Sequence, residues 1–291
     1  PFTVYCLLFT VYRLQKEGKM PIKKVKMNNG IEIPLLGLGT YAITSQTDVE
    51  NALSAAFEAG YRLIDSAAAY NNEKQIGKAI KKSNVPREEI FLTTKLDNWD
   101  HGYDNALRAF DESLKNLDME YVDLYLVHWP ITGKRKETWK AFEKIYKEGR
   151  AKSIGVSNYT VRHLIELLDN AEVIPAINQV ELNPFCYPKE ILKICKENNI
   201  IVEAYTPLAR THKFMHPLIK EMTQKYNKTP AQVLLRWGVQ HDAVVIPKSS
   251  RRERIFENAD IFDFEISEGD METMNKLDEN LRSSEDPNEI E

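Results

Sequence analysis

The sequence predicts an α/β fold, a (β/α)8 or TIM barrel, and three observations carry that expectation. From Met20 onward, short apolar runs alternate with amphipathic segments at a steady beat. Eight such βα units fit within roughly 230 residues, the span of one closed barrel. The runs are nearly continuous in apolar residues, as strands are when both faces of a parallel sheet are covered. No linker rich in Pro, Ser or Gly divides the chain. Alternation of strand and helix does not by itself separate a barrel from a doubly wound open sheet, which stands as the alternative.

The elements come in order along the chain. PFTVYCLLFTVYRL at the start is apolar but shorter than the roughly 20 residues a membrane span needs. It also lacks the charged start and small-residue exit of a signal peptide. Residues 1–19 are expected to be an extension outside the domain, which takes up 20–291. VKMNNGIEI (25–33) sets Asn29-Gly30 between alternating residues, a two-residue hairpin signal. LLGLGT (35–40) is the first barrel strand. DVENALSAAFEAG (48–60) comes next as a helix, with Asp48 as its cap and Gly60 as its stop. RLIDSA (62–67) and IFLTTKL (90–96) are the second and third strands, and YDNALRAFDESLKNL (103–117) is a helix. VDLYLVHW (122–129), AKSIGVSN (151–158), PAINQVEL (175–182) and IIVEAYTP (200–207) continue the beat. The helical stretch PAQVLLRWGV (230–239) leads into the eighth strand, AVVIPK (243–248).

Composition narrows the function. The 291 residues are 43% hydrophobic and 28% charged, which suits a packed core and excludes a disordered chain. A net charge of −4 and a pI near 6.0 argue against a nucleic-acid surface, which needs basic residues spread along one face. Three cysteines, Cys6, Cys186 and Cys195, form no CxxC, so neither a disulfide framework nor a zinc site is indicated. A reducing cytosol is the simplest compartment.

A barrel carries its chemistry at the carboxyl ends of its strands. The second strand ends in Asp65, with Tyr70 close behind; the third ends in Lys95 and the fourth in His128-Trp129. The fifth ends in Ser157-Asn158, the sixth carries Asn178-Gln179, and the seventh ends in Tyr205-Thr206. Any one of these has an ordinary explanation as a core histidine, a capping asparagine or a solvated lysine. Six polar strand ends at matched positions are a pattern. A lysine beside a phenol favours the phenolate and makes the tyrosine a better acid. Asp65 would keep Lys95 charged, and His128 could bind the same substrate oxygen. The set suits protonation of an oxygen on which negative charge builds, as in carbonyl reduction, with hydride from a cofactor.

One segment remains. IPKSSRRERIFEN (246–258) holds four positive charges within seven residues, Lys248 to Arg254, in a chain of net negative charge. If a helix starts just after Ser250, Arg251, Arg254 and Asn258 share a face, and the helix amino end adds its own pull on an anion.

With the motifs GLGT, IDSAAAYNNE, TTKL, LVHWP, GVSNY, NQVELNP, AYTPLA and IPKSSRRERIFEN in this order, the chain from Lys23 to Leu277 resembles the aldo-keto reductases. Within that family it is similar to the bacterial and protist branch with diketogluconate reductases, glyoxal reductases and prostaglandin F synthases. The resemblance implies a tetrad: Tyr70 as general acid, Lys95 and Asp65 tuning it, and His128 orienting the carbonyl. It implies a barrel whose amino-terminal end is capped by the 25–33 hairpin, and NADP(H) as cofactor. Thr40 would join the cofactor contacts. Ser157, Asn158 and Gln179 would hold the nicotinamide carboxamide, and Tyr205 would stack on the ring. Thr206 and Leu208 would line the pyrophosphate path. Lys248, Ser249 and Arg254 would take the 2′-phosphate, a compact dianion suited to such cations. Glu257 and Asn258 would meet the adenine. Tyr41 and Trp129 would line the substrate pocket, with no metal involved. Relatives of this size are often monomers. Tyr41 stands where many members carry Trp, Thr206 where Ser is usual, and Ala209 where Gly is usual. The tail beyond Asn258 is short, which implies an open site for small aldehydes, dicarbonyls or sugars.

Two patterns point elsewhere. Gly37-Leu38-Gly39-Thr40-Tyr41-Ala42 fits a dinucleotide fingerprint with Glu58 at a fitting distance, yet no helix signal opens at Gly39. Tyr70 and Lys74 fit the Y-x-x-x-K of short-chain dehydrogenases, as do Tyr12 and Lys16. A further alternative keeps the barrel but makes the protein a cofactor-binding sensor or partner subunit with little turnover.

Overall fold

The computed structural model of the chain describes residues 22–290. The expected extension at 1–19 lies outside them.

A hairpin comes first, β1 (Lys24–Lys26) antiparallel to β2 (Glu32–Pro34). Its loop differs from the expected two-residue turn. Met27 N donates to Ile31 O at 2.8 Å and Gly30 N to Met27 O at 2.9 Å, so three residues, Asn28 to Gly30, make the bend. Gly30 takes φ +88°, the left-handed position that a three-residue hairpin loop reserves for glycine. Both asparagines are spent elsewhere. Asn28 donates to Pro175 O, and Asn29 to Lys152 O and Ser153 Oγ. Met27 and Ile33 pack on Leu63, Phe91, Leu124 and Ile177, so the hairpin closes the amino-terminal end of the parallel strands that carry those residues.

Eight parallel strands pair in chain order: β3 (Gly37–Gly39), β4 (Leu63–Asp65), β5 (Phe91–Leu96), β6 (Leu124–Val127), β7 (Ile154–Ser157), β8 (Ile177–Glu181), β9 (Ile201–Tyr205) and β10 (Val244–Val245). The last returns to the first. Val245 N donates to Leu35 O at 2.9 Å and Gly39 N to Pro247 O at 3.2 Å, with parallel bridges Leu36–Val245 and Gly39–Lys248. The seam needs a bare glycine, because a Cβ on Gly39 would lie 2.8 Å from Ile246 O. An open sheet leaves two unpaired edges. Here the edges meet, and the doubly wound alternative falls.

Alternate residues of each strand face inward. At the amino-terminal end these are apolar: Leu63, Phe91, Leu124, Leu126, Ile177, Val244 and Ile246. Two residues further along the same faces stand Asp65, Thr93 and Lys95, His128, Gln179, and Lys248. The outward residues, such as Ile64, Leu92, Val127 and Val202, pack under the helices.

Ten helices surround the strands among the described residues: α1 (Gln46–Glu58), α2 (Glu73–Lys82), α3 (Tyr103–Leu117), α4 (Arg135–Lys147), α5 (Val161–Leu168), α6 (Lys189–Glu197), α7 (Pro217–Tyr226), α8 (Pro230–Gln240), α9 (Arg252–Ala259) and α10 (Glu268–Met274). α3 has the bounds its periodicity predicts, and α8 runs one residue further. α1 starts earlier than expected. Its cap is Ser45, whose hydroxyl accepts from Asp48 N at 3.1 Å, while Asp48 places its carboxylate in the first turn. No helix opens at Gly39. Beyond Leu277 the chain crosses the carboxyl-terminal rim: Tyr187 N donates to Asp278 Oδ1, Leu281 N to Phe185 O, and Arg162 Nη2 to Asn288 O. None of the described helices is long and apolar enough to cross a membrane.

Candidate active site

Lys95 is fully buried at the rim, which only a tight set of acceptors allows. Its Nζ donates to Asp65 Oδ1 at 2.7 Å, to Ser66 O at 2.8 Å and to Tyr70 OH at 3.4 Å. Three donors meet three acceptors. Tyr70 reaches this point through a short 3-10 turn, Ala68–Tyr70, followed by Asn71 in the left-handed region at φ 54°. Asn72 fastens the turn. It is completely buried, donates to Thr40 O and Ile43 O at 2.9 Å each, and accepts from Ser66 Oγ at 2.7 Å. The Tyr70 ring meets His128 edge-on, centroids 5.8 Å apart, and Tyr41 on another side at 5.2 Å.

The expected pull of Lys95 on Tyr70 is present, but it is not the largest influence. Burial pushes the Tyr70 phenol up, and Lys95 pulls it back without overcoming that burial, while Asp65 adds to the rise. Tyr70 therefore stays protonated at neutral pH. Burial also works against the Lys95 charge, but Asp65 and Tyr70 outweigh it, and the net shift is upward. His128 is driven down to about 3, first by burial and then by Lys95, so it is a neutral imidazole.

A second network joins the next strands. Ser157 Oγ donates to Gln179 O at 2.9 Å, and Asn158 Nδ2 to His128 O at 3.0 Å. Tyr205 OH donates to Asn158 Oδ1 at 2.7 Å and lies 2.7 Å from Ser284 Oγ of the tail. Gln179 Nε2 donates to Asp65 Oδ2 at 2.9 Å and to Glu203 Oε2 at 2.7 Å. Both amide hydrogens are taken, which leaves the Gln179 oxygen as its free acceptor. The Thr40 hydroxyl is occupied, donating to Asp65 O at 2.8 Å. Tyr41 is 62% exposed and Trp129 half-buried.

Thr206 and Leu208 lie on the loop after β9, where Thr206, Ala209, Arg210 and Thr211 all take φ between 46° and 67°. Ala209 thus sits in backbone that favours glycine. In the basic segment, Lys248 follows β10 at the barrel seam, exposed, and Ser249 is buried, its Oγ accepting from Arg251 N at 3.2 Å. α9 begins at Arg252 with Arg251 as its cap. Arg252 pairs with Glu58 at 2.5 Å, whereas Lys248, Arg251 and Arg254 form no ion pair among the described residues. Asn258 is buried and Glu257 half-buried on the same helix. Three cations without carboxylate partners suit an anion of high charge density. Lys74, the alternative catalytic lysine, is exposed on α2.

Comparison with known proteins agrees with this geometry. Residues 35–279 match the Aldo/keto reductase family. The chain belongs to that family. It is 46% identical over 266 residues to the glyoxal reductase of Bacillus subtilis, covering 91% of this chain and 96% of that protein. An aldo-keto reductase from a Medee basin deep-sea metagenome library superposes with a TM-score of 0.88 at 43% identity, over 92% of this chain and 100% of that one. The Bombyx mori aldo-keto reductase solved in complex with NADP superposes with a TM-score of 0.86 at 34% identity, over 91% and 96% of the two chains. Such similarity makes this aldo-keto reductase an oxidoreductase.

Residue types and spacing left several parts of the site unread. Glu203 sits in the barrel interior, inside a strand otherwise apolar except at its Tyr205 end. Alternation from Tyr205 was the signal that could have found it. Glu181 is also buried, accepting from Ser283 N at 2.9 Å and Ser283 Oγ at 2.5 Å. It ties the tail to the rim beside Tyr205. The tail walls that side of the site.

Proposed function

We propose that this protein is an NADPH-dependent reductase of small aldehydes and dicarbonyls. The observation that carries the reading is Lys95 Nζ, buried between the Asp65 carboxylate and the Tyr70 hydroxyl, next to a neutral His128. The Tyr70 phenol holds its proton at neutral pH and gives it to the carbonyl oxygen as charge builds there. Lys95 stabilises the phenolate left behind, and Asp65 holds Lys95 in place. His128, uncharged, has an N–H to donate to the same oxygen and fix its direction.

The cofactor is NADP(H), which when bound supplies the hydride. The unpaired Lys248 and Arg254, with the Ser249 hydroxyl, would hold its 2′-phosphate, and Glu257 and Asn258 the adenine. Ser157, Asn158 and the Gln179 oxygen would hold the carboxamide, Tyr205 would stack on the ring, and Thr206 and Leu208 would pass the pyrophosphate. Thr40 acts through Asp65, whose carbonyl it binds. Tyr41 and Trp129 would meet the substrate. The B. subtilis relative is named for glyoxal, which supports a small dicarbonyl. The two described cysteines, Cys186 and Cys195, are buried and free, in keeping with a reducing compartment.

Turnover of glyoxal, methylglyoxal and simple aldehydes with NADPH tests the reading, with Tyr70→Phe beside the native chain. Tyr70→Phe should abolish reduction and leave NADPH binding intact, measured by tryptophan quenching. Retained turnover in the variant removes Tyr70 from the acid role. NADPH binding with no turnover on the whole panel favours a sensor or partner subunit on the same barrel.

A further inference from the structure

Glu203 is completely buried in the barrel interior, one strand face below Tyr205. Its Oε2 accepts from Gln179 Nε2, and the same nitrogen binds Asp65 Oδ2. Its Oε1 is buried with no hydrogen-bond partner. The groups that face it are few. β4 presents Asp65, β5 presents Lys95, β8 presents the neutral Gln179, and β10 presents Val244. Asp65 and Lys95 already cancel. A third charge at Glu203 would leave two anions against one cation, with one oxygen unsatisfied in a dry interior. The neutral acid removes the excess charge, and an unpartnered neutral oxygen costs less there than an unpartnered charged one.

We infer that Glu203 is a positioning residue that carries a proton while the enzyme reduces its substrate, and that it brakes the reaction when that proton is lost to solvent base. The inference rests on the reading of Tyr70 as the acid. With Glu203 neutral, the Asp65–Lys95 pair is balanced, and Lys95 can stabilise the phenolate that forms as Tyr70 gives up its proton. With Glu203 ionised, an added negative charge reaches Lys95 and Asp65 through the interior and opposes that phenolate. Burial, and then the nearby Asp65, push the Glu203 carboxyl up to about 8, against the pull of Gln179 and Lys95. The brake would therefore engage at mildly alkaline pH.

Glu203→Gln keeps the shape and cannot ionise. With an aldehyde and saturating NADPH, native and variant rates should agree within about twofold below about pH 7. Through the range around 8 the native rate should fall while the variant rate holds. Superimposed profiles would overturn the inference. Tyr70→Phe in the same series separates the two claims: if it turns over, the acid reading fails and this inference fails with it. If it is dead and the profiles still superimpose, Glu203 alone is excluded. A measurement without turnover stands beside these. Infrared difference spectra of the native apoprotein should show a protonated carboxyl band at about pH 6, where ordinary carboxylates are ionised, that is gone by about pH 10. Its absence at the lower pH overturns the inference even if the variant does not fold.

Discussion

Arg252 and Arg254 stand two residues apart on α9 and differ in what they touch. Arg252 is exposed and paired with Glu58, and such a surface pair is worth about 0–1 kcal/mol. Arg254 has no partner among the described residues, so its charge is available to a ligand. NADPH and NADH differ only by the 2′-phosphate, and a hydrogen bond to a charged group is worth about 1.5–3 kcal/mol. Arg254→Ala should therefore weaken NADPH by about 10- to 150-fold and leave NADH nearly unchanged. Arg252→Ala should change neither. Tryptophan quenching reads both ligands, and equal losses for NADPH and NADH in Arg254→Ala would remove Arg254 from the phosphate site. Spacing alone showed a knot of four cations; the family resemblance singled out Lys248 and Arg254, and the partner that occupies Arg252 is Glu58, 194 positions away in α1.

Helix α2 shows how an element can depend on one missing methyl. Alanine is normally a better helix former than glycine by about 1 kcal/mol. At Gly77, however, a Cβ would lie 2.0 Å from the backbone oxygen of Leu117 at the end of α3. A backbone atom cannot swing aside as a long side chain does. The clash outweighs the propensity, at a cost of about 1–3 kcal/mol or more for the overpacked contact. Gly77→Ala should lower the urea midpoint with the slope unchanged, and a raised midpoint would show that α2 and α3 slide apart freely. The elements themselves were mostly open to reading. All eight barrel strands appear where apolar runs placed them, because the outward faces pack under helices and the inward faces are apolar along their first residues. What escaped were contacts set by distant chain. Ser45 displaced Asp48 as the cap of α1, the hairpin loop gained a residue to send Asn29 toward Lys152 and Ser153, and the tail found Glu181. Asp65, Lys95 and His128 could be read because they stand at or next to strand ends, and Tyr70 because it lies in the turn just after one. Glu203 was passed over because it lies within one, and its meaning depends on residues facing it from across the barrel.

For the whole molecule, protons held differently by the folded and unfolded chain set how stability varies with pH. Burial depresses His101 to about 4, His128 to about 3 and His163 to about 4, and it lowers His241 as well. Unfolded, each takes up a proton near 6.5. Between those limits the unfolded chain holds more protons, so these groups make stability rise with pH, and their contribution is complete about one unit above 6.5. Glu203 runs the other way. It keeps its proton up to about 8 when folded and loses it near 4.5 when unfolded, so it makes stability fall with pH across that interval. From about pH 5 to 6.5, His101, His128 and His163 oppose one carboxyl, His241 adds in the same direction, and the net slope is upward. Above about pH 7 the unfolded histidines hold few protons, and Glu203 tilts the curve downward by at most about 1.4 kcal/mol per pH unit until it titrates. The melting temperature should therefore peak near pH 7 and decline toward 8, by about 2–4 °C for each kcal/mol lost in a chain of this size. Glu203→Gln should flatten the decline above the peak and steepen the rise below it. Melting curves across this range decide it: a rise that continues through pH 8 means that Glu203 is ionised in the folded protein, and a curve flat between 5 and 6.5 means that the buried histidines are protonated there.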